Sequence, residues 1–241
     1  GALVLNAAGE AKFRLVIRGD LVTADPKIPT FGPCVAWYSF LLLNWIVALD
    51  GSRVEQMDVV SAYLHAPLHS TTGPTIPPTY LLLTPTLREI IAAATPMGRG
   101  TRYMRIDRAM YGLCESAYLF YMFMAALLRR IGFEPIPGDA SFFVLRHKGE
   151  AGTVAVALHV DDALVAGVGT TDAFFERTLR SIHHGVNGMI KSAAPNVFLG
   201  ANINVPQRLE LHADGGGEPS ISMVRAGNGL FVHCADHVDQ L

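Results

Sequence analysis

Residues 154–167 read VAVALHVDDALVAG and place two adjacent acidic residues between two apolar runs. Each run has the length and composition of a buried strand, so the stretch predicts a β-hairpin with Asp161 and Asp162 at its tip. Adjacent carboxylates repel, and near the protein interior a cation must offset that repulsion. A divalent metal ion is the usual candidate, and a solvated acidic turn between two core strands is the alternative.

The composition is that of a globular chain with a substantial core. Of its 241 residues, 50% are hydrophobic and 17% are charged, and the mean hydropathy is +0.30. These values exclude a disordered tail and a coiled coil. The net charge of -2 gives no whole-chain sign of a nucleic-acid-binding protein, so any basic patch is local. Three widely spaced cysteines suggest neither a disulfide framework nor a paired zinc site and favour a reducing compartment.

The N-terminal sequence lacks the basic region, long apolar core and cleavage site of a signal peptide. Residues 34–49, CVAWYSFLLLNWIVAL, carry no charge, but they fall short of the roughly 20 residues that span a bilayer. Ser39 and Asn44 also interrupt the stretch. It therefore predicts a buried core helix, and the protein is expected to be non-secreted, cytoplasmic or nuclear, with no membrane partner.

Helix and strand signals alternate along the chain, but strands also follow each other directly. A helix is predicted over residues 116–131, which contain no breaker and end at Gly132, and another near 172–183. The proline-rich residues 67–100 are expected to be mostly loop, with a short strand around Tyr80 to Leu83. Strands are predicted at 53–60, 102–106, 141–146, 153–158 and 163–166, with a last pair near 197–205 and 208–212. The pattern favours an α+β fold whose sheet is covered by helices on one face.

A third carboxylate occurs in a setting similar to that of the acidic pair. Asp58 comes near the end of the strand RVEQMDVV, before a compact segment of small and apolar residues. A fold can assemble a two-metal site from such strand-end carboxylates. Two metal ions about 3.5 to 4 Å apart activate an attacking oxygen and stabilise a leaving one during phosphoryl transfer. Strand-end aspartates also cap helices, which is the alternative interpretation.

Seven blocks of sequence occur in a characteristic order and spacing. They are KFRLVIRG, FGPCVAWYSFLLLNWIVAL, VEQMDVVSAYLHAPL, YMRIDRAMYGLCESAYLFY, LRRIGFEPIPGDASFFVLR, VALHVDDALVAG and NVFLGANINV. Together they resemble the reverse transcriptase of copia-type LTR retrotransposons from about Lys12 to Val205. The most specific matches are QMDV, YGL, and VDD between apolar strands, whereas residues 206–241 match loosely.

This resemblance implies a right-hand polymerase. The α+β fold would hold fingers at about 1–32 and 66–107 and a palm at about 33–65 and 108–205, the palm being of the ferredoxin-like split βαβ type. Residues 206–241 would start an incomplete thumb or connection. On this resemblance, the RNase H and integrase parts that accompany the polymerase in an intact element are expected to be missing from the chain.

The resemblance also implies the catalytic residues and their cofactor. Asp58, Asp161 and Asp162 match the catalytic, metal-binding carboxylates, with Asp58 and Asp161 on two Mg²⁺ ions and Asp162 more peripheral. Mn²⁺ is the expected substitute ion. The 3′-hydroxyl of a primer, paired to an RNA or DNA template, would attack the α-phosphate of a dNTP and release pyrophosphate.

Five further residues match substrate-binding positions of the family. Lys12 and Arg14 resemble a basic pair that grips the nucleotide triphosphate, with a solvated strand face as the alternative. Tyr63 matches the aromatic residue beneath the sugar that excludes a ribose 2′-hydroxyl, a role compatible with core packing. Tyr111 and Gly112 lie in the YGL turn against nucleotide and template, where Gly112 permits close backbone approach.

The chain departs from the family pattern in three places. Before FLG, residues 190–197 read IKSAAPNV in place of the family's Asp-Leu-Gly segment. After YGL the family continues Lys-Gln-Ser-Pro-Arg-Ala-Trp-Tyr, whereas residues 114–121 read CESAYLFY and lose positive charge near the expected template. His159 replaces the aromatic residue of the catalytic turn, either to stack on a base or sugar or as a buried neutral side chain. The leading hypothesis is an RNA-directed DNA polymerase core. The alternatives are a catalytically inactive retroelement remnant or nucleic-acid-binding module and, more remotely, a metal-dependent phosphohydrolase.

Overall fold

The computed structural model describes residues 2–5, 11–21, 26–50, 52–69, 76–95, 100–193, 197–199, 201–204, 207–212, 220–225 and 231–233. The α-helices in these residues are α1 (Trp37–Asp50), α2 (Pro85–Ala94), α3 (Ser116–Ile131) and α4 (Asp172–Gly185). The strands are β1 (Ala2–Leu5), β2 (Ala11–Arg14), β3 (Arg53–Val59), β4 (Thr79–Leu82), β5 (Tyr103–Ile106), β6 (Glu134–Ile136), β7 (Asp139–Leu145), β8 (Thr153–His159), β9 (Asp162–Val168), β10 (Ile190–Ala193), β11 (Val197–Phe198), β12 (Ala201–Asn204), β13 (Gln207–His212), β14 (Ser220–Arg225) and β15 (Phe231–His233). Short 3-10 helices cover Gly19–Leu21 and Ala62–His65. The fold is thus mixed α and β.

The largest sheet contains six antiparallel strands in the order β10-β3-β9-β8-β7-β6. Its centre is the predicted hairpin: β8 and β9 pair from Thr153 opposite Val168 to His159 opposite Asp162. In each strand the five central residues are buried. The predicted strands at 53–60, 102–106, 141–146, 153–158 and 163–166 and the helices at 116–131 and 172–183 are confirmed within a few residues.

Helices cover both faces of this sheet, so the prediction of helices on one face is wrong. Neighbouring side chains of a strand point to opposite faces. On one face Leu164 packs in a single core cluster with Phe40 and Val47 of α1. On the other face Gly167 lies so close to α4 that a Cβ added there would be 2.7 Å from the ring of Phe175. Continuous apolar runs such as those of β8 and β9 are typical of strands covered on both faces.

Helix α1 is apolar around its whole circumference but is covered on only one side. Phe40, Leu43 and Val47 are almost fully buried, as predicted for a core helix. The opposite side exposes between 37% and 72% of seven large apolar side chains: Trp37, Tyr38, Leu41, Leu42, Trp45, Ile46 and Leu49. The prediction of a buried helix therefore holds for half of it. Across the described residues, none of the helices has both the length and the apolar character to cross a bilayer.

Two further predictions about local structure are wrong. The proline-rich segment contains α2, because the hydroxyl of Thr84 accepts a hydrogen bond from the N–H of Leu87 and Pro85 occupies the first turn. The segment predicted as one strand at 197–205 folds back after Phe198, with Leu199 at a φ of 54°, into the pair β11 and β12. Consequently β12 pairs with β11 and β15, and β13 pairs with β14.

The chain divides into two compact units. The first comprises Gly1–Gly32 and Ser61–Met124 and holds the hairpins β1-β2 and β4-β5 together with α2. The second comprises Pro33–Val60 and Ala125–Leu241 and holds the six-stranded sheet, α1 and α4. The division of the sequence into fingers, palm and thumb stays a prediction.

Candidate active site

Four polar side chains line up across the turn end of the six-stranded sheet. Asp58 on β3 lies directly opposite Asp162 on β9, and Asp162 lies opposite His159 on β8. On the other side of Asp58, β10 contributes Lys191. Directly opposed residues of antiparallel strands have Cβ atoms about 4.5 to 5.5 Å apart, so the two aspartates are neighbours. Two carboxylates 104 residues apart in sequence therefore meet on one face of the sheet.

The third carboxylate sits in the turn itself. The carbonyl of Asp161 accepts a hydrogen bond of 2.8 Å from the N–H of Val59, which ties the turn to the end of β3. Val160 has a φ of 54°, a left-handed conformation that a β-branched residue rarely adopts. Such backbone strain persists only where surrounding contacts impose it, and it is concentrated at functional sites. The structure thus brings Asp58, Asp161 and Asp162 together at one end of the sheet.

Asp162 is held by a side chain of the neighbouring strand. Gln56 Nε2 donates to both of its carboxylate oxygens, at 3.1 and 2.8 Å. Burial raises the pKa of Asp162 to about 6, and the negative charges of Asp58 and Asp161 add to this rise. The hydrogen bonds from Gln56 and from the N–H of Ala163 act in the opposite direction. Gln56 therefore fixes the orientation of the half-buried Asp162 side chain. Because its pKa is raised, this carboxyl is protonated at a higher pH than an ordinary aspartate.

The carboxylates of this site suit Mg²⁺ better than zinc. In the parts of the chain that the structure describes, no three His, Cys, Asp or Glu side chains group as a metal site. A closed tetrahedral zinc site is therefore not built there. Mg²⁺ is held by one or two carboxylates and takes its remaining ligands from water and substrate phosphates. Asp58, which is exposed, and Asp161, which is half-buried, meet that requirement, while Asp162 is engaged by Gln56.

His159, at the position of the family's aromatic residue, packs against an aromatic ring. Its ring meets that of Phe198 edge-on, with centroids 6.3 Å apart. Burial lowers the pKa of His159, against the opposing effect of the Asp161 carboxylate. Nδ1 is buried and has no hydrogen-bond partner among the described residues. The structure thus favours a half-buried histidine packed against Phe198 over a ring free to stack on a base.

The predicted sugar-binding and turn residues of the first unit contact each other. The rings of Tyr63 and Tyr111 have centroids 4.7 Å apart at an angle of 54°. Gly112 has a φ of 94°, and a Cβ added there would lie 2.0 Å from the carbonyl oxygen of Ile17. The Ile17 N–H also donates to the carbonyl of Tyr111 at 2.8 Å. Gly112 does permit close backbone approach, and the approaching backbone belongs to this same chain.

Lys12 and Arg14 lie on β2, opposite Val4 and Ala2 of β1. Their side chains fall outside the described part of the structure. Their predicted contact with the nucleotide triphosphate therefore stays a prediction.

Sequence reasoning missed two members of this site, Gln56 and Lys191. Gln56 stands two residues before Asp58 on a strand, a spacing that places both side chains on one face, so the pattern contained a usable signal. Lys191 belongs to no motif. Its place opposite Asp58 depends on the pairing of β10 with β3, across 133 residues of sequence.

Comparison with known protein families agrees with this geometry. Residues 5–204 match the family described as reverse transcriptase (RNA-dependent DNA polymerase), a range that covers most of the chain and contains all three aspartates. A search of curated proteins returns no match. The chain belongs to the reverse transcriptase family that is found in copia-type retrotransposons.

Proposed function

We propose that the chain forms the fingers and palm of a copia-type RNA-directed DNA polymerase. It would transfer a nucleotide from a dNTP to the 3′-hydroxyl of a primer on an RNA or DNA template. The observation that carries this proposal is the meeting of Asp58, Asp161 and Asp162 at the strained end of the central hairpin, in a chain of the reverse transcriptase family.

The carboxylates take different parts in this proposal. Asp58 and Asp161 would hold two Mg²⁺ ions, for which Mn²⁺ is the expected substitute. When bound, such ions activate the attacking 3′-oxygen and stabilise the charge on the leaving pyrophosphate. Asp162 is peripheral, because Gln56 occupies both of its oxygens. Its hydrogen bonds with Gln56 keep the hairpin tip fixed against β3.

The nucleotide-binding residues come from the first unit. Lys12 and Arg14 bind the triphosphate through charge-assisted hydrogen bonds. Tyr63 lies beneath the deoxyribose, where a ribose 2′-hydroxyl would clash with its ring. The contact with Tyr111 supports this role, because a ring held at 4.7 Å by its neighbour has little freedom to move aside. The YGL turn, which contains Tyr111 and Gly112, would lie against the nucleotide and the template.

Primer extension by the purified full chain tests the proposal. A labelled primer on RNA and on DNA templates is incubated with dNTPs and Mg²⁺ or Mn²⁺. Asp161→Asn and Asp58→Asn are each expected to reduce extension at least a hundredfold, since several kcal/mol of charge stabilisation are lost. Glu134→Gln, an exposed carboxyl on β6, serves as the matched control and is expected to leave extension intact. Extension that survives Asp161→Asn would refute the assigned role.

A second candidate is a catalytically inactive remnant that still binds nucleic acid. The substituted start of α3 favours it. Where the family carries lysine and arginine, this chain has the exposed Cys114 and the half-buried Tyr118, so the positive charge expected near the template is lost, and the neighbouring Glu115 is buried. This candidate predicts salt-sensitive binding of a primed template with no extension by the wild type.

A further inference from the structure

An open cleft of about 780 Å³ separates the end of α3 from α4. Its walls carry Arg130 and Ile131 from α3 and Arg177, Arg180, Ser181 and His184 from α4. Three arginines line this cleft in a chain whose net charge is -2. They form a local basic patch, the kind of feature that whole-chain charge conceals.

The cleft is separate from the carboxylate site. Asp162 shares a sheet face with Leu164, which packs against α1. Helix α4 covers the opposite face, where Phe175 meets Gly167. The arginines therefore lie on the α4 side of the sheet, opposite the face on which the carboxylates meet.

A glycine sets the width of the cleft. A Cβ added at Gly185, the last residue of α4, would lie 2.1 Å from a methyl carbon of Leu127 on α3. Leu127 is almost fully buried, so α3 and α4 are in contact at this point. Leu127 forms the apolar base of the cleft, and the arginines line its sides. The cleft is thus a product of packing between the helices.

The charges in the cleft are only partly balanced. Arg177 forms an ion pair of 2.6 Å with Glu150 and lies over the ring of Phe174. Arg130 and Arg180 are exposed and have no hydrogen-bond or ion-pair partner among the described residues. Like charges three or four residues apart on a helix, such as those of Arg177 and Arg180, destabilise it slightly. An anion bound in the cleft would remove this repulsion.

We propose that this cleft binds the phosphate groups of a nucleic-acid strand, at a second site behind the polymerase sheet. Guanidinium groups match phosphate oxygens with two parallel hydrogen bonds. Arg177, Arg180 and His184 lie on one side of α4 and spread over about 10 Å along its axis. That spread suits a chain of successive phosphates better than a single anion. The chain belongs to a family of nucleic-acid polymerases, so we expect the bound phosphates to be those of a nucleic-acid strand.

Strand binding by the full chain tests the second site. Fluorescence anisotropy measures the affinity for a labelled oligothymidylate, without divalent ions, over a range of salt concentrations. The double variant Arg130→Ala with Arg180→Ala is expected to bind about tenfold more weakly. The slope of log affinity against log salt should become shallower by about 0.7 for each phosphate that an arginine no longer neutralises, or about 1.4 in all.

The control removes two arginines elsewhere. Arg18 and Arg105 are exposed and are each paired with a neighbouring aspartate, so the double variant Arg18→Ala with Arg105→Ala makes the same change in net charge. It is expected to bind like the wild type. Equal weakening by both double variants, or no weakening by the first, would overturn the proposal. Circular dichroism confirms that both variants are folded.

Two further arms identify the source of the phosphate and separate the cleft from the polymerase site. Free dTTP, at equal phosphate concentration, is expected to compete weakly, and strong competition would mean a nucleotide site and overturn the strand assignment. The difference between the double variants should persist in an Asp58→Asn and Asp161→Asn background. Failure of primer extension would therefore refute the polymerase and leave this binding difference in place.

Discussion

The turn end of the central hairpin and the arginine cleft both bring like charges together, but the fold treats them differently. At the turn, Asp162 is half-buried, Gln56 binds both of its oxygens, and the pKa is raised. In the cleft, the side chains of Arg177 and its partner Glu150 are both partly exposed to solvent. A charge near the interior needs fixed protein partners, whereas solvent screens one at the surface. The acidic end should therefore govern stability and the basic cleft should not.

The largest effect is expected from Gln56→Leu. Leucine has a similar volume but donates no hydrogen bond, so a half-buried carboxylate loses both of the hydrogen bonds from Gln56. The free energy of unfolding in urea at pH 7 should fall by about 2 kcal/mol. A decrease no greater than that caused by Arg177→Met in the cleft would break the contrast between the two regions.

A pH-dependent effect of intermediate size is expected from Asp162. Its pKa is about 6 in the folded chain against an ordinary value of 3.8, so the folded state binds the proton more tightly. Wild-type stability should therefore fall as the pH rises from about 4 to about 6, and the full penalty is present above pH 6. We expect about 1 to 2 kcal/mol, less than the full shift would give, because solvent screens a half-buried group.

Asp162→Asn removes this titration. The variant should unfold at higher urea concentration than the wild type at pH 7.5 and at a similar concentration at pH 4. Glu134→Gln keeps Asp162 and should keep the wild-type dependence on pH. A variant that is less stable than the wild type at pH 7.5 would show that the negative charge of Asp162 stabilises the hairpin.

The smallest effect is expected from Arg177→Met. Methionine keeps an apolar side chain beside Phe174 but removes the guanidinium, and with it the contact over the Phe174 ring and the ion pair with Glu150. The side chains of Arg177 and Glu150 are 52% and 27% exposed. The free energy of unfolding should change by about 0.5 kcal/mol or less. A larger decrease would mean that the cleft, like the hairpin tip, depends on its charged partners for stability.

Local patterns were sufficient for the elements that place the carboxylates. The apolar runs of β8 and β9 meet at the acidic pair, and the breaker-free α3 ends before Gly132. The strand-end setting of Asp58 identified it as the third carboxylate, the resemblance implied its catalytic role, and the register places it opposite Asp162. These features depend on residues near each other in sequence, or on motifs long enough to be specific.

Features that depend on tertiary contacts could not be predicted from the sequence. The role of Gln56 depends on the register between β3 and β9. The arginine cleft joins residues about 50 positions apart through the contact of Gly185 with Leu127. The helices on both sheet faces depend on tertiary contacts as well, because the apolar runs of β8 and β9 do not specify which helix packs on which face.

The uncovered side of α1 has a practical consequence for anyone who handles this chain. Its seven exposed apolar side chains carry no charge that would repel a neighbouring molecule. The attraction between apolar surfaces in water weakens on cooling and strengthens on warming. Preparations should therefore stay clear in the cold and turn turbid as they warm, well before the sheet itself unfolds.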